Sequence, residues 1–416
     1  MVTKALQFGH ILRFSTVLIV QSPFMPTVQS YTLTAAQTLQ SVEYAHARHV
    51  LHFGSFVISA SVLLALLLLR VVPRLRRLGL WPVAIVALLL LITDLFDLPA
   101  LIYAHALSMK YQISIQGWPA WFWDWTKGEL VSVFIALVTI LPLYWLLCKS
   151  PGRWWWYAWL ISIPLMLFSA YAGPLVLEPL FNDFHPLAEK HPELIDPIEK
   201  MLARSGVIIP REQLFEMQAS SKTNALNAYV SGFGPSRRVV LYDTIIRKEP
   251  GPLLLTTIGH ELGHYVLNHI LQGLAFGSAG TLAALYLLSV FVRWIIRVWG
   301  DKLEISSASD WASLPLFGLI ILMFSFFAEP IGGGFSRWLE HRADIYALEV
   351  THGLIPNAGQ AAAQAFQIEG ETLLEEPAPH PFIVFWLYTH PPVAERLRFS
   401  LAYDPWSKGA QPMFVK

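Results

Sequence analysis

The sequence predicts a mainly α, polytopic helical membrane protein of about six to seven spans, with a small α+β domain carried among them. Of 416 residues, 55% are hydrophobic and only 14% are charged, too little charge to coat a soluble globule of that length. Several windows run nearly uncharged for the roughly twenty residues that a helix needs to cross hydrocarbon. Between the fourth and fifth of these windows, residues 178–259 turn polar and proline-punctuated, and that stretch supplies the soluble part.

Taken in order, residues 1–50 read as a signal peptide or signal anchor followed by a polar lead-in. Lys4 precedes a short apolar run at 14–24, which is the layout of a targeting segment. Arg13 and the lack of a small-x-small cleavage site leave both readings open, and a helical stretch is expected at 35–48. Residues 51–178 hold four spans, at 53–69, 80–104, 130–148 and 154–177. The second contains Asp94 and Asp97. A carboxylate is costly inside a bilayer, so these two either lie near an interface or line a wet internal cavity.

Residues 179–273 form the soluble catalytic unit. An amphipathic run at 193–204 is followed by two short strands around Gly232-Phe233-Gly234-Pro235, where apolar residues alternate before the turn and cluster after it. The unit closes on His260-Glu261-Leu262-Gly263-His264, a helix with no evident breaker before the fifth span. Residues 270–330 hold the last two spans, at 270–292 and 311–328, and 331–416 a further helix and a proline-rich tail whose Ala-rich run, 358–366, is also helical.

The His-Glu-x-x-His string carries the chemistry. Two histidines four apart stand one turn above each other on one helix face, so both imidazoles reach one tetrahedral Zn²⁺. Glu261 points beside the metal, where it can take a proton from a water whose pKa the ion has lowered to about 7. The third ligand is expected at Glu340, on a helix opening after Gly332, Gly333 and Gly334. Asp344, one turn on, is placed to accept the spare N–H of a ligating imidazole. His341 competes with Glu340, but its side chain leaves the same helix about 100° away. The set makes the soluble unit a zincin-type domain and the chain a peptide hydrolase.

His260-Glu261-Leu262-Gly263-His264, the run from Ser336 to Asp344, and the run from Thr389 to Leu397 together resemble the motif set of the type I CAAX prenyl proteases and their bacterial relatives. The segments from Asn227 to Gly232 and from Pro179 to Leu187 add to the match. These proteases are integral-membrane zinc metallopeptidases of the gluzincin kind. The resemblance implies His260, His264 and Glu340 on zinc, Glu261 as general base and Asp344 behind a ligand. It further implies that His390 and Arg396 project toward the metal to steady the tetrahedral intermediate. Asn227, Ala228 and Tyr229 would lie along the cleft as a substrate edge, the usual docking site for an extended peptide. The implied partners are a polypeptide substrate and the lipid bilayer.

Loop charges set an orientation. Arg70, Arg74, Arg76, Arg77, Lys149, Arg153, Arg293, Arg297 and Lys302 fall on one side of the bilayer, against Lys110 and Lys127 on the other. The positive-inside rule puts the first set in the cytoplasm and both catalytic segments outside. This departs from the eukaryotic members, whose site faces the cytosol. It points to a bacterial-type inner-membrane protein with a periplasmic site, so a CAAX substrate does not follow. Quality-control proteolysis of membrane proteins is the alternative within the same chemistry. A non-catalytic scaffold or transporter with structural zinc is the alternative outside it. Net charge is zero with no basic cluster on the soluble part, which argues against nucleic acid.

Overall fold

The structure, a computed structural model, describes residues 27–232 and 237–415. The targeting-type run at 14–24 lies outside them. Among the described residues, six helices are long and apolar enough to cross a membrane. Four precede the soluble domain: α1 (Ala35–Leu68), α2 (Pro82–Lys110), α3 (Trp118–Lys149) and α4 (Trp154–Ala172), the last continued through a π-turn to Phe181. The domain contributes α5 (Pro192–Arg204) and α6 (Gly251–Val266). Then come α7 (His269–Leu303), α8 (Leu314–Thr351), α9 (Ala358–Leu373) and α10 (Val393–Ala402).

Three boundaries differ from the sequence reading. The polar lead-in is not a separate helix, because a Thr34–Gln37 capping box starts α1 at Ala35 and nothing interrupts it before Leu68. Satisfying the first free N–H groups lets one helix absorb both segments. The glycines 332–334 do not open a new helix. They lie inside α8, which carries Glu340 and Asp344 as an extension of the sixth span. At 38 residues, α8 is about 57 Å long, roughly twice the hydrocarbon thickness, so its C-terminal half projects beyond the bilayer. Conversely, the His-Glu-x-x-His helix does not run on into the fifth span. It ends at Val266, Asn268 turns left-handed at φ 56°, and α7 begins afresh at His269. Asparagine is among the few non-glycine residues that tolerate that conformation.

Two apolar cores are separate. One lies between the spans, around Leu147, Trp154, Val292 and Phe317. The other lies in the soluble domain, around Ile198, Met201, Leu241, Leu254 and Tyr346. Leu130, Phe134, Trp145 and Phe168 stand more than 60% exposed on α3 and α4, the surface a membrane protein offers to lipid.

The ends of the bundle sort the loops. Arg70 and Arg77 pair with Glu304, at 2.9 and 3.0 Å, and Arg76 pairs with Asp310 at 2.5 Å, so the first and fifth connections share one end. At the other, the 111–117 connection docks on the soluble domain through Ile115 N–H to the Lys222 carbonyl and Asn224 N–H to the Ile113 carbonyl.

The domain is built on a four-stranded sheet of order β1-β2-β4-β3, with β1 Phe184–Pro186, β2 Leu214–Met217, β3 Ala228–Ser231 and β4 Arg238–Tyr242. β3 pairs antiparallel with β4, Ala228 opposite Leu241, as the alternating pattern predicts, and it is one of the sheet's two edge strands, β1 being the other. Most of the expected Gly-Phe-Gly-Pro turn falls outside the described residues. A cavity of about 1220 Å³ runs between the spans and reaches His390 and Arg396. Asp94, Asp97, Glu129 and Glu329 are among the residues of its wall, so both intramembrane aspartates face this space.

Candidate metal centre

The centre exists because α6 and α8 approach closely, and glycine permits that approach. A Cβ on Gly263 would stand 3.1 Å from Ala343 Cα and 3.1 Å from Tyr346 Cβ, and one on Gly259 would stand 3.1 Å from Val350 Cγ1. Gly259 and Gly263, four apart on one face, therefore form a shallow groove against α8. His260 and His264, each one residue further on, are turned toward Glu340 and Asp344.

His260 Nε2 lies 3.1 Å from His264 Nε2 and 3.1 Å from Glu340 Oε2, and His264 Nε2 lies 3.4 Å from Glu340 Oε1. One ligand atom from each residue falls within 4.8 Å of the others. These residues fit a metal on two grounds. Tetrahedral zinc with bonds of about 2.0–2.1 Å spaces its ligand atoms roughly 3.3–3.4 Å apart, close to what is found. The donor set also fits: two imidazoles and a carboxylate are ligands that zinc takes in proteins, and Glu340 Oε2 meets the ring nitrogens of His260 and His390 at 3.1 and 3.4 Å.

The remaining predicted residues take different places. Asp344 Oδ1 accepts from His260 Nδ1 at 2.8 Å. Arg396, 7% exposed, is spent on Asp344: its Nε donates to Oδ2 at 3.0 Å and its Nη2 to Oδ1 at 2.7 Å. Arg396 is thus not free in the cleft. It stands behind Asp344, its Nη2 3.4 Å from His260 Nδ1. His390 is exposed at the mouth, its Nε2 3.4 Å from Glu340 Oε2. His341 points elsewhere, against the Phe399 ring. Glu261 lines a smaller cavity beside the ligands, about 100 Å³, together with Asn227 and Ala228. Tyr229 is turned away, its hydroxyl donating to Glu178 Oε2 at 2.5 Å, because neighbours on a strand face opposite ways.

Two arrangements had no sequence signal. Gly333, read as a helix start, instead admits the backbone of Tyr388, whose carbonyl would stand 2.9 Å from an added Cβ. Arg337 donates to the same carbonyl and to that of Val384. Together they seat the Thr389–His390 turn over the ligands. The second is His269, whose Nδ1 lies 3.0 Å from His264 Nδ1.

Burial works against a charge on His260, yet Asp344 and Glu340 override it and raise its pKa to about 10 with no cation between them. Burial also pushes the Glu261 carboxyl above its ordinary value, against the pull of His260 and His264.

The peptidase family M48 model matches residues 188–402, which contain both helices of this centre. The chain belongs to peptidase family M48. The M48 segment is preceded by a match, over residues 16–183, to the CAAX prenyl protease N-terminal region of five membrane helices. Of that region, the described residues carry α1 to α4. This M48 chain is 34% identical over 316 residues to the uncharacterized metalloprotease YhfN of Bacillus subtilis, covering 76% of this chain and 72% of that one. It is 26% identical to CAAX prenyl protease 1 of Saccharomyces cerevisiae over 321 residues, covering 74% and 69%. Its fold matches the crystal structure of S. mikatae Ste24p with a TM-score of 0.75 at 22% identity, over 88% of this chain and 89% of that one. The protein is thus a multi-pass integral-membrane metallopeptidase, dependent on a metal ion and acting on polypeptides. M48 membership does not favour the scaffold or transporter alternative.

Proposed function

We propose that the chain is a zinc endopeptidase that cuts polypeptides at the outer, periplasmic surface of a bacterial-type inner membrane. His260, His264 and Glu340 hold the ion, and their convergence with Glu261 beside them is the observation that carries the reading. A structural zinc site uses four protein ligands, whereas three are gathered here among the described residues. When bound, the metal polarises the scissile carbonyl and lowers the pKa of a coordinated water to about 7.

The chain's own residues supply the rest. The Glu261 carboxylate takes a proton from the attacking water and passes it to the departing amide nitrogen. His390, at the mouth, donates from Nε2 to the developing oxyanion. Asp344 holds the Nδ1–H of His260, and the Arg396 fork holds Asp344, so Arg396 acts through this chain of contacts. An extended peptide adds as a strand beside β3, with Asn227 and Ala228 facing the cleft. Tyr229 contributes main chain only.

The orientation rests on the basic loops gathered at the end of the bundle opposite the domain, which the positive-inside rule puts in the cytoplasm. An outward site would not meet prenylated cytosolic tails. The proposed substrates are therefore membrane or membrane-adjacent polypeptides, although several relatives are named for CAAX cleavage. The test is Glu261→Ala. Purified variant should keep its zinc and lose proteolysis, and membranes from cells carrying it should accumulate uncut substrates relative to wild type. Undiminished cleavage by that variant would sink the proposal.

A further inference from the structure

We infer that His269 is a positioning residue for the second metal ligand, fixing His264 as Asp344 fixes His260. The inference rests on the zinc-centre reading above and adds to it a residue that the ligand motif does not contain.

The geometry starts at the break between α6 and α7. On an uninterrupted helix, residues five apart point about 140° away from each other, so His264 and His269 could not touch. The left-handed turn at Asn268, φ 56°, redirects the chain and swings the ring of His269 back over that of His264. The two rings meet edge to face with centroids 4.9 Å apart, and Nδ1 faces Nδ1 at 3.0 Å. His269 is 4% exposed. Its Nε2 is buried and has no hydrogen-bond partner among the described residues.

Protons can be assigned from these contacts. Nε2 of His264 faces His260 and Glu340 and must offer a lone pair to serve as a ligand. A neutral imidazole carries one proton, so that of His264 sits on Nδ1 and is donated to Nδ1 of His269. His269 then accepts at Nδ1 and keeps its own proton at the buried Nε2. This fixes ring and tautomer at the second ligand, as outer partners of metal-bound histidines generally do.

An imidazole acceptor also suits the local charge. The two positive charges of zinc and the one on Arg396 cancel those of Glu340, Glu261 and Asp344. A neutral imidazole at 269 leaves that balance unchanged, with Arg342 a further cation acting on it.

Asparagine and glutamine at 269 separate positioning from packing. The Asn side-chain oxygen falls near the place of imidazole Nδ1, whereas Gln carries its oxygen one bond further, where Nε2 stood. Zinc retention is measured by chelator competition on detergent-purified full-length protein, with the cobalt-substituted visible spectrum as a second readout. H269Q should lose about 10- to 100-fold in zinc affinity with an altered cobalt spectrum, while H269N stays near wild type in both. Nitrogen-15 NMR of the imidazoles in zinc-loaded wild type needs no variant to fold. It should find His264 protonated at Nδ1, and His269 bare at Nδ1 and protonated at Nε2.

Equal zinc retention by H269Q and wild type, equal loss in H269N and H269Q with unchanged melting, or a proton on Nδ1 of His269 would each overturn the inference. Wild type that binds no zinc would overturn the zinc-centre reading itself, whereas zinc-bound wild type with indifferent variants overturns only the part given to His269.

Discussion

Replacing Gly263 by alanine tests whether helix contact sets the metal centre. The added methyl would meet Ala343 Cα at 3.1 Å and Tyr346 Cβ at 3.1 Å, where carbon atoms prefer roughly 3.5–4.0 Å. Neither obstacle is the tip of a flexible side chain, so relief requires α6 and α8 to part by about half an ångström. Overpacking of this kind costs about 1–3 kcal/mol, and alanine returns up to about 1 kcal/mol in helix propensity. Global stability should therefore fall by about 0–2 kcal/mol, a modest change. The ligands are affected more, because His260 and His264 ride on one helix and Glu340 on the other, with ligand atoms now 3.1–3.4 Å apart. G263A should bind zinc more weakly than G259A, whose worst contact is with a valine methyl, Val350 Cγ1. Gly273→Ala, which meets nothing within 4 Å, should leave binding unchanged. Chelator competition on the three variants decides it. If G263A melts and holds zinc like wild type, the claim that glycine contact sets the ligand spacing is wrong.

Other outcomes follow from the same geometry. Without metal, His260 is protonated up to about pH 10. Its contribution to the stability of the metal-free protein is full below pH 6.5, its ordinary value, and fades as pH rises through about 10. Zinc must displace that proton, so zinc affinity should rise over the same interval. Melting of the chelated protein should therefore fall across that interval, while that of the zinc-saturated protein, whose His260 carries no proton to lose, stays level. Arg396→Met strands the buried Asp344 carboxylate and should cost about 3–5 kcal/mol, measured by thermal unfolding, with Arg396→Lys intermediate because it loses the two-pronged contact. Gly333→Ala collides with the Tyr388 carbonyl at 2.9 Å and should shift His390, lowering kcat in a peptide assay while zinc content by metal analysis stays the same.

Much of the protein was legible from local rules. Span number and place follow from window hydropathy, and the hairpin from alternation around a glycine turn. The pairing of His260 with His264 follows from the helical repeat, since residues four apart must share a face. Glu340 and Asp344 were reachable because they repeat that spacing on a second helix. The misreadings share one cause. Gly332, Gly333 and Gly334 looked like a helix boundary and proved to be an interior stretch where another backbone comes close. The run after His264 looked unbroken, yet Asn268 turns it. Glycine and asparagine each serve several conformations, and only neighbours distant in sequence select one.

By itself, the sequence determined the membrane class, the helical ligand pair and the donor chemistry, because these depend on composition and on spacing within single elements. Tertiary structure decided that Glu340, about eighty residues away in sequence, stands 3.1 Å from His260, that Arg396 is held on Asp344, and that His269 meets His264. Those facts depend on how closely two helices pack and how one turn is bent. Such distances are set by contacts across the fold, which spacing along the chain does not encode.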